Sequence, residues 1–251
     1  PAPEDTHPLH GEIPNATSQH AALVFGQDAR GAYVRYEGEL RERVAFAANY
    51  TFTSAVTFRA GSSRLEMDLD VHNHRAAAMD LMYLAHLNFR PVDGARLVDT
   101  VADDPARFRV RRHLPIYRDG TPDYRALMDQ FATDPATHRQ IVAGRAVAPE
   151  LVAAMDCRAD AEGWAHAMQV LPDGSADFIS HRPSELPKAI RWLTRNGDED
   201  ALGLVLPATS EVDGKTAERK KGNIQTLAGG AHWRAHLRFG ALTGAEAKAL
   251  A

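Results

Sequence analysis

From residue 20 to residue 73 the chain runs in short stretches, "AALVFG", "AYVRYEGELRER", "YTFTSAVTFRA" and "SRLEMDLDVHN", each closed by Gly, Asn, Asp or Ser. Side chains of a strand alternate between its two faces, so the pattern predicts a β-meander. In "YTFTSAVTFRA" Thr and aromatic residues stand on both faces, which predicts a sheet covered on each side. Strand character returns in "WAHAMQVL", in "PDGSADF" with its Pro-Asp-Gly turn, and in "ALGLVLPAT", "GNIQTL" and "AHWRAHLRFGAL". Between these lies "TPDYRALMDQFATDPATHRQIVAGR", residues 121–145, with Thr121 as N-cap, Pro122 at the first helical position, and Tyr124, Leu127, Met128 and Phe131 at helical spacing. It holds too few apolar residues for a core of its own. A second helical turn is expected after Pro135. The expectation is a single domain over residues 1–251, mostly β, an antiparallel sandwich or barrel with a helical excursion at 121–145.

Composition removes several function classes. The net charge of −4 over 251 residues offers no general attraction for a phosphate backbone, so nucleic acid is not an expected partner. The densest basic run, "ERKKGN" at 218–223, reads as a solvated turn. Cys157 is the single cysteine, which excludes an internal disulfide and fits a reducing, cytoplasmic location. No apolar run reaches the roughly 18 residues of a bilayer span, so no membrane partner is expected.

The polar residues raise the functional question. "LMYLAHLNF", residues 81–89, reads as a buried strand except for His86 and Asn88, two residues apart and so on one face. Burying such groups unpaired costs about 1–3 kcal/mol, so they either find partners in the core or face a site. "HPLHGEIPNA" sets His7, His10, Glu12 and Asn15 around Gly11 in a Pro-bracketed loop, a common place for site residues, although a plain surface loop has the same composition. His72 and His74 share a strand face and could ligate a metal with His10 or Glu12. The chain contains neither a Gly-x-Ser-x-Gly elbow nor a Gly-rich phosphate loop.

Four stretches, "PLHGEIPNA", "YEGELRERVAF", "LDVHNHRAAAMDLMYLAHLNFRPVDGARL" and "LPKAIRWLTRNGDEDALGLVLPATSEVDGKTAERKKGNIQTLAGG", together resemble the aldose 1-epimerase (galactose mutarotase) superfamily in order and spacing. The likeness is nearest to an aldose-epimerase-like branch of unknown function. It implies a galactose-mutarotase-like supersandwich, here without the N-terminal segment that would precede the "HG" loop. His10-Gly11 matches that loop, His86-Leu87-Asn88-Phe89 matches the family's His-x-x-Phe strand, and "LGLVLPAT" and "LAGGA" match its two late signatures.

Mutarotation opens and recloses a sugar hemiacetal, which needs an acid at the ring oxygen and a base at the anomeric hydroxyl. The resemblance implies His86 as the acid and His10 as a second catalytic imidazole; Asn88, Glu12, Glu150 and Arg191 are the implied sugar contacts. It departs at Leu206, which stands where the family has its catalytic Glu before Pro. Glu12, Glu150, Glu185 and, by a register slip, Glu211 are the carboxylates available to replace it. The expected ligand is a small carbohydrate and no cofactor is expected; a metal on His10, Glu12 and His86 is the alternative. Activities consistent with these residues are mutarotation, a lyase or epimerase reaction on the same fold, or sugar binding without turnover. Trp164, Trp192 and Trp233 are read as core residues before sugar platforms.

Overall fold

The computed structural model describes residues 8, 10–113 and 115–251. In chain order its strands are β1 (His20–Asp28), β2 (Gly31–Val44), β3 (Ala48–Arg59), β4 (Arg64–Asn73), β5 (Met79–Leu81), β6 (Arg96–Asp99), β7 (Phe108–Val110), β8 (Val147–Met155), β9 (Ala165–Val170), β10 (Ala176–His181), β11 (Lys188–Arg195), β12 (Asp200–Ala208), β13 (Gln225–Leu227) and β14 (His232–Leu242). Its helices are α1 (Pro115–Arg118), α2 (Pro122–Thr133), α3 (Lys215–Lys221) and α4 (Gly244–Leu250). The fold is mostly antiparallel β. No described helix is long and apolar enough to cross a membrane. Packing divides the chain into two compact units: one holds the chain up to Tyr83 with Thr209–Arg238, the other Leu84–Ala208 with Phe239–Ala251.

In the first unit β1 to β4 are antiparallel neighbours, as the meander predicts. Their register lines up Leu40, Phe52 and Val71, all buried. The same face continues through Tyr36 and Val56, and through Val34 and Phe58, to Leu23 and Phe25, which are exposed. The opposite face carries ion pairs: Arg35 sits 2.6 Å from Glu37 and 2.5 Å from Asp68, and Arg59 sits 2.9 Å from Asp28. On that face Thr57 of β3 lies 3.4 Å from the Arg35 guanidinium, so the cover there is charged and not apolar. "ERKKGN" is also corrected. It belongs to α3, which ends where Gly222 adopts φ +75° and donates its N–H to Arg219 and Glu218 carbonyls, with the Glu218 side chain buried.

The second unit contains the strands β10-β9-β6 of one sheet and a separate sheet in the order β12-β11-β8-β7. Helix α2 starts as the sequence predicts, with Thr121 Oγ1 accepting from Tyr124 N at 3.2 Å, and a 3-10 turn follows at Pro135–Arg139. The Thr243/Glu246 capping box starts α4, whose Ala247 joins the core of Met168, Ala176, Phe178 and Leu242.

Two expectations fail here for physical reasons. The segment 81–89 is not a continuous strand: β5 ends at Leu81, and 84–89 then runs along β12, bridged only at Leu84–Ala208 and Phe89–Leu202. Between the bridges His86 and Asn88 are exposed, where water can satisfy them. Arg191, expected as a sugar contact or surface charge, is 1% exposed. Its Nη2 donates to Asp99 on β6 at 2.8 Å and its Nε to Leu204 O at 2.7 Å, so the pair ties the two sheets. Arg139 adds a second guanidinium, 3.1 Å from Asp99. Burial opposes the Asp99 charge, but Arg191 and Arg139 together hold its carboxyl below the ordinary range.

Removing one partner of such a pair strands a buried charge. Asp99→Ala should lower unfolding stability by about 3–5 kcal/mol in denaturant titration; a change within experimental error would contradict the pair's structural role. Buried imidazoles make a second prediction. His138, stacked on Phe108 at 3.9 Å, is lowered to about 3 by burial and then by Arg191, and His181 is lowered to about 4 by burial. Unfolded, both take a proton near pH 6.5, so the unfolded state binds more protons below that pH. Stability should be greatest above pH 6.5 and fall as the pH drops toward 4 and then 3, with a shallower slope in His138→Gln. Identical slopes for the two proteins would exclude His138 as a source.

Candidate functional site

Alternation along β11 turns Trp192 to the face opposite Arg191. The pairing places Val152 of β8 and Gly203 of β12 beside Trp192, and Ala154 and Leu206 beside Ile190. A register shift between Ile190 and Trp192 adds a residue to β12. Without it Leu206 would follow Leu202 and Leu204 to the Arg191 face; the bulge turns it onto the Trp192 face. Leu206 is 2% exposed and packs so closely over Gly203 that a Cβ there would lie 2.6 Å from Leu206 Cδ2.

Two expected residues flank Trp192. Glu150 on β8 accepts the indole N–H at 2.5 Å, and its backbone carbonyl accepts from Tyr124 Oη at 2.7 Å, which anchors it to α2. The His86 ring meets the Trp192 ring edge-on, with centroids 5.2 Å apart. His86 Nδ1 lies 2.9 Å from Asn88 Oδ1; with that oxygen accepting, Nδ1 carries the proton and Nε2 is the basic nitrogen. His86, Asn88 and Glu150 are therefore brought together around a half-buried tryptophan. The reading of Trp192 as core is corrected. The signal available in the sequence was its position next to Arg191: once one of the two faces inward, the other faces out.

The remaining candidates lie elsewhere. Arg191 belongs to the buried ion pair. His10 and Glu12 are in the first unit and exposed, with His10 at φ +65° and Gly11 at φ +76°; His7 is outside the described residues. Asn15 is exposed, and Glu185 stands 3.9 Å from Arg182. Glu211 does not supply a displaced base: with Asp213 and Glu218 it surrounds Lys221 Nζ at 2.8, 2.5 and 2.8 Å. Those three acids, close enough to share a metal ion, already share an ammonium. Burial works against that charge, but Asp213, Glu211 and Glu218 outweigh it and hold the lysine pKa above its ordinary value.

Comparison with known proteins agrees with this architecture. The model of the domain of unknown function DUF4432 matches residues 2–241. A solved structure of a proposed aldose 1-epimerase from Klebsiella pneumoniae superposes with a TM-score of 0.80 at 19% identity, covering 96% of this chain and 59% of that one. A galactose mutarotase-like protein from Clostridium acetobutylicum gives 0.56 at 16% identity, covering 88% and 66%. A proposed aldose 1-epimerase from Escherichia coli K12 gives 0.56 at 14%, covering 88% and 68%. At these identities the likeness establishes the galactose-mutarotase-like fold. No curated protein matches the chain.

The Leu206–Gly203 contact is testable by a double-mutant cycle. Gly203→Ala should cost about 1–3 kcal/mol beside Leu206, and clearly less when combined with Leu206→Ala, which opens the space. Additive effects would mean that the two residues do not meet.

Proposed function

The chain belongs to the DUF4432 family of unknown function, and we propose that this protein is a carbohydrate-active isomerase of aldose 1-epimerase (mutarotase) type. The observation that carries the reading is the gathering of His86, Asn88 and Glu150 around Trp192 on one sheet face. An aromatic face suits the apolar C–H face of a sugar. An imidazole suits proton transfer near neutral pH. Leu206 has no acid–base chemistry, and Glu150 takes over the duty of the family's glutamate.

In this mechanism Glu150 removes the proton from the anomeric hydroxyl as protonated His86 gives a proton to the ring oxygen. The C1–ring oxygen bond breaks, leaving the open-chain aldehyde. Rotation about C1–C2 and the reverse transfers close the other anomer. Asn88 orients His86 through its amide oxygen. The chemistry calls on no cofactor.

Magnetisation-exchange NMR of galactose, glucose and glucuronate tests the proposal. The protein should accelerate anomer exchange of at least one sugar, and His86→Ala and Glu150→Gln should each lose about 10²–10⁴-fold. A Glu150→Gln variant as fast as wild type would remove Glu150 as the base. Thermal stabilisation by a sugar without accelerated exchange would favour a binding protein, the reading that Leu206 supports.

A further inference from the structure

The outer face of the β2–β3–β4 sheet gathers positive charge that the proposed chemistry does not use. Arg41 and Arg43 alternate with Leu40 and so point away from the Leu40, Phe52 and Val71 core. Register places Thr51 beside Arg41 and Asn49 beside Arg43, with His72 next to Thr51. His74 joins them through a 2.6 Å hydrogen bond between its Nε2 and Thr51 Oγ1, and its ring centroid lies 4.0 Å from that of His72. Beyond His72 stands His232, stacked at 3.9 Å and held by Asp70 at 2.8 Å.

At the β2–β3 turn this face opens into a shallow, solvent-open depression of about 290 Å³. It is lined by Arg43, Asn49, Arg75 and the turn residues 44–48. Among the described residues many arginines are matched to carboxylates, as Arg30 is to Glu66, Arg139 to Asp99 and Arg195 to Asp93. Among the described residues Arg41, Arg43 and Arg75 form no ion pair. The Arg75 guanidinium donates to the Ala47 carbonyl, at 2.7 Å, and Arg41 Nε is buried without an acceptor. The positive field also acts on His74, whose imidazole is pushed below its ordinary pKa by burial and then by His72, Arg41, Arg43 and His232.

From this unmatched charge around a depression we infer an oxyanion site at the β2–β3 turn, in which Arg43 and Arg75 grip the phosphate or carboxylate group of a small anionic molecule and Asn49 donates a further hydrogen bond. Guanidinium groups suit this because their paired N–H donors match two oxygens at once. The depression is open to solvent, so it fixes the oxyanion group and leaves the rest of the ligand in water. Occupation neutralises charge that the fold otherwise leaves uncompensated, and it is independent of proton transfer at His86.

Titration calorimetry at fixed ionic strength tests the site with inorganic phosphate, glucose 6-phosphate, glucuronate and neutral glucose as probes. Saturable binding is expected for at least one anion and not for glucose at this site, weakened about 10- to 100-fold by Arg43→Gln and by Arg75→Gln. Lys220→Gln, which removes an exposed charge on α3, should leave it unchanged. Phosphate-only or carboxylate-only binding both support the site and identify the ligand class. Amide shift mapping on the unmodified protein keeps the test valid if a variant unfolds: shifts should centre on residues 43–49 and Arg75. No saturable anion binding, equal weakening by Lys220→Gln, or shifts centred elsewhere would overturn the inference.

Discussion

The ion pair between Arg191 and Asp99 organises the second unit. A guanidinium and a carboxylate leave water at a large desolvation cost, which only close geometry and further hydrogen bonds can offset. Here both are supplied: Arg191 reaches Asp99 at 2.8 Å and the Leu204 carbonyl at 2.7 Å, and Arg139 completes the carboxylate's partners. Because Asp99 lies on β6 and Arg191 on β11, the pair fixes one sheet against the other. It also settles which way β11 faces. With Arg191 turned inward, Trp192 must turn outward, and Glu150 and His86 meet there.

The apolar floor of that site follows from one inserted residue in β12. The bulge brings Leu206 onto the Trp192 face, where it seals against Gly203, a position at which any Cβ would collide with it. A carboxylate at 206 would therefore enter a closed apolar site at the cost of burying its charge. The chain keeps a carboxylate on the same sheet face by another route, through Glu150 on β8, held by the Trp192 indole and steadied through its backbone by Tyr124. In the proposed mechanism Glu150 and His86 are the two opposed groups that sugar ring opening requires.

Much of this was legible in the sequence, and the misses have physical reasons. The meander, the Thr121–Pro122 helix start and the late strands follow from local periodicity and capping chemistry, which act over a few residues. The capping box at Thr243 and Glu246 is equally local and was there to be read. Burial of Arg191 was not legible, because its partner lies 92 residues away and nothing near it announces a buried charge. The bulge that moves Leu206 also depends on pairing between strands. The segment 81–89 misleads because its apolar residues suit a strand while His86 and Asn88 require water; the backbone resolves the conflict by pairing only at Leu84 and Phe89.

The proposed reaction sets the sugar against Trp192 with His86 at its ring oxygen. The most direct measurement is a titration of ¹⁵N-labelled protein with aldoses and uronic acids, following the Trp192 indole N–H and the ring nitrogens of His86. Saturable, concerted shifts of both signals with one dissociation constant, together with a change at His86 Nε2, are the predicted result. A sugar that binds while leaving both rings unmoved would contradict the site.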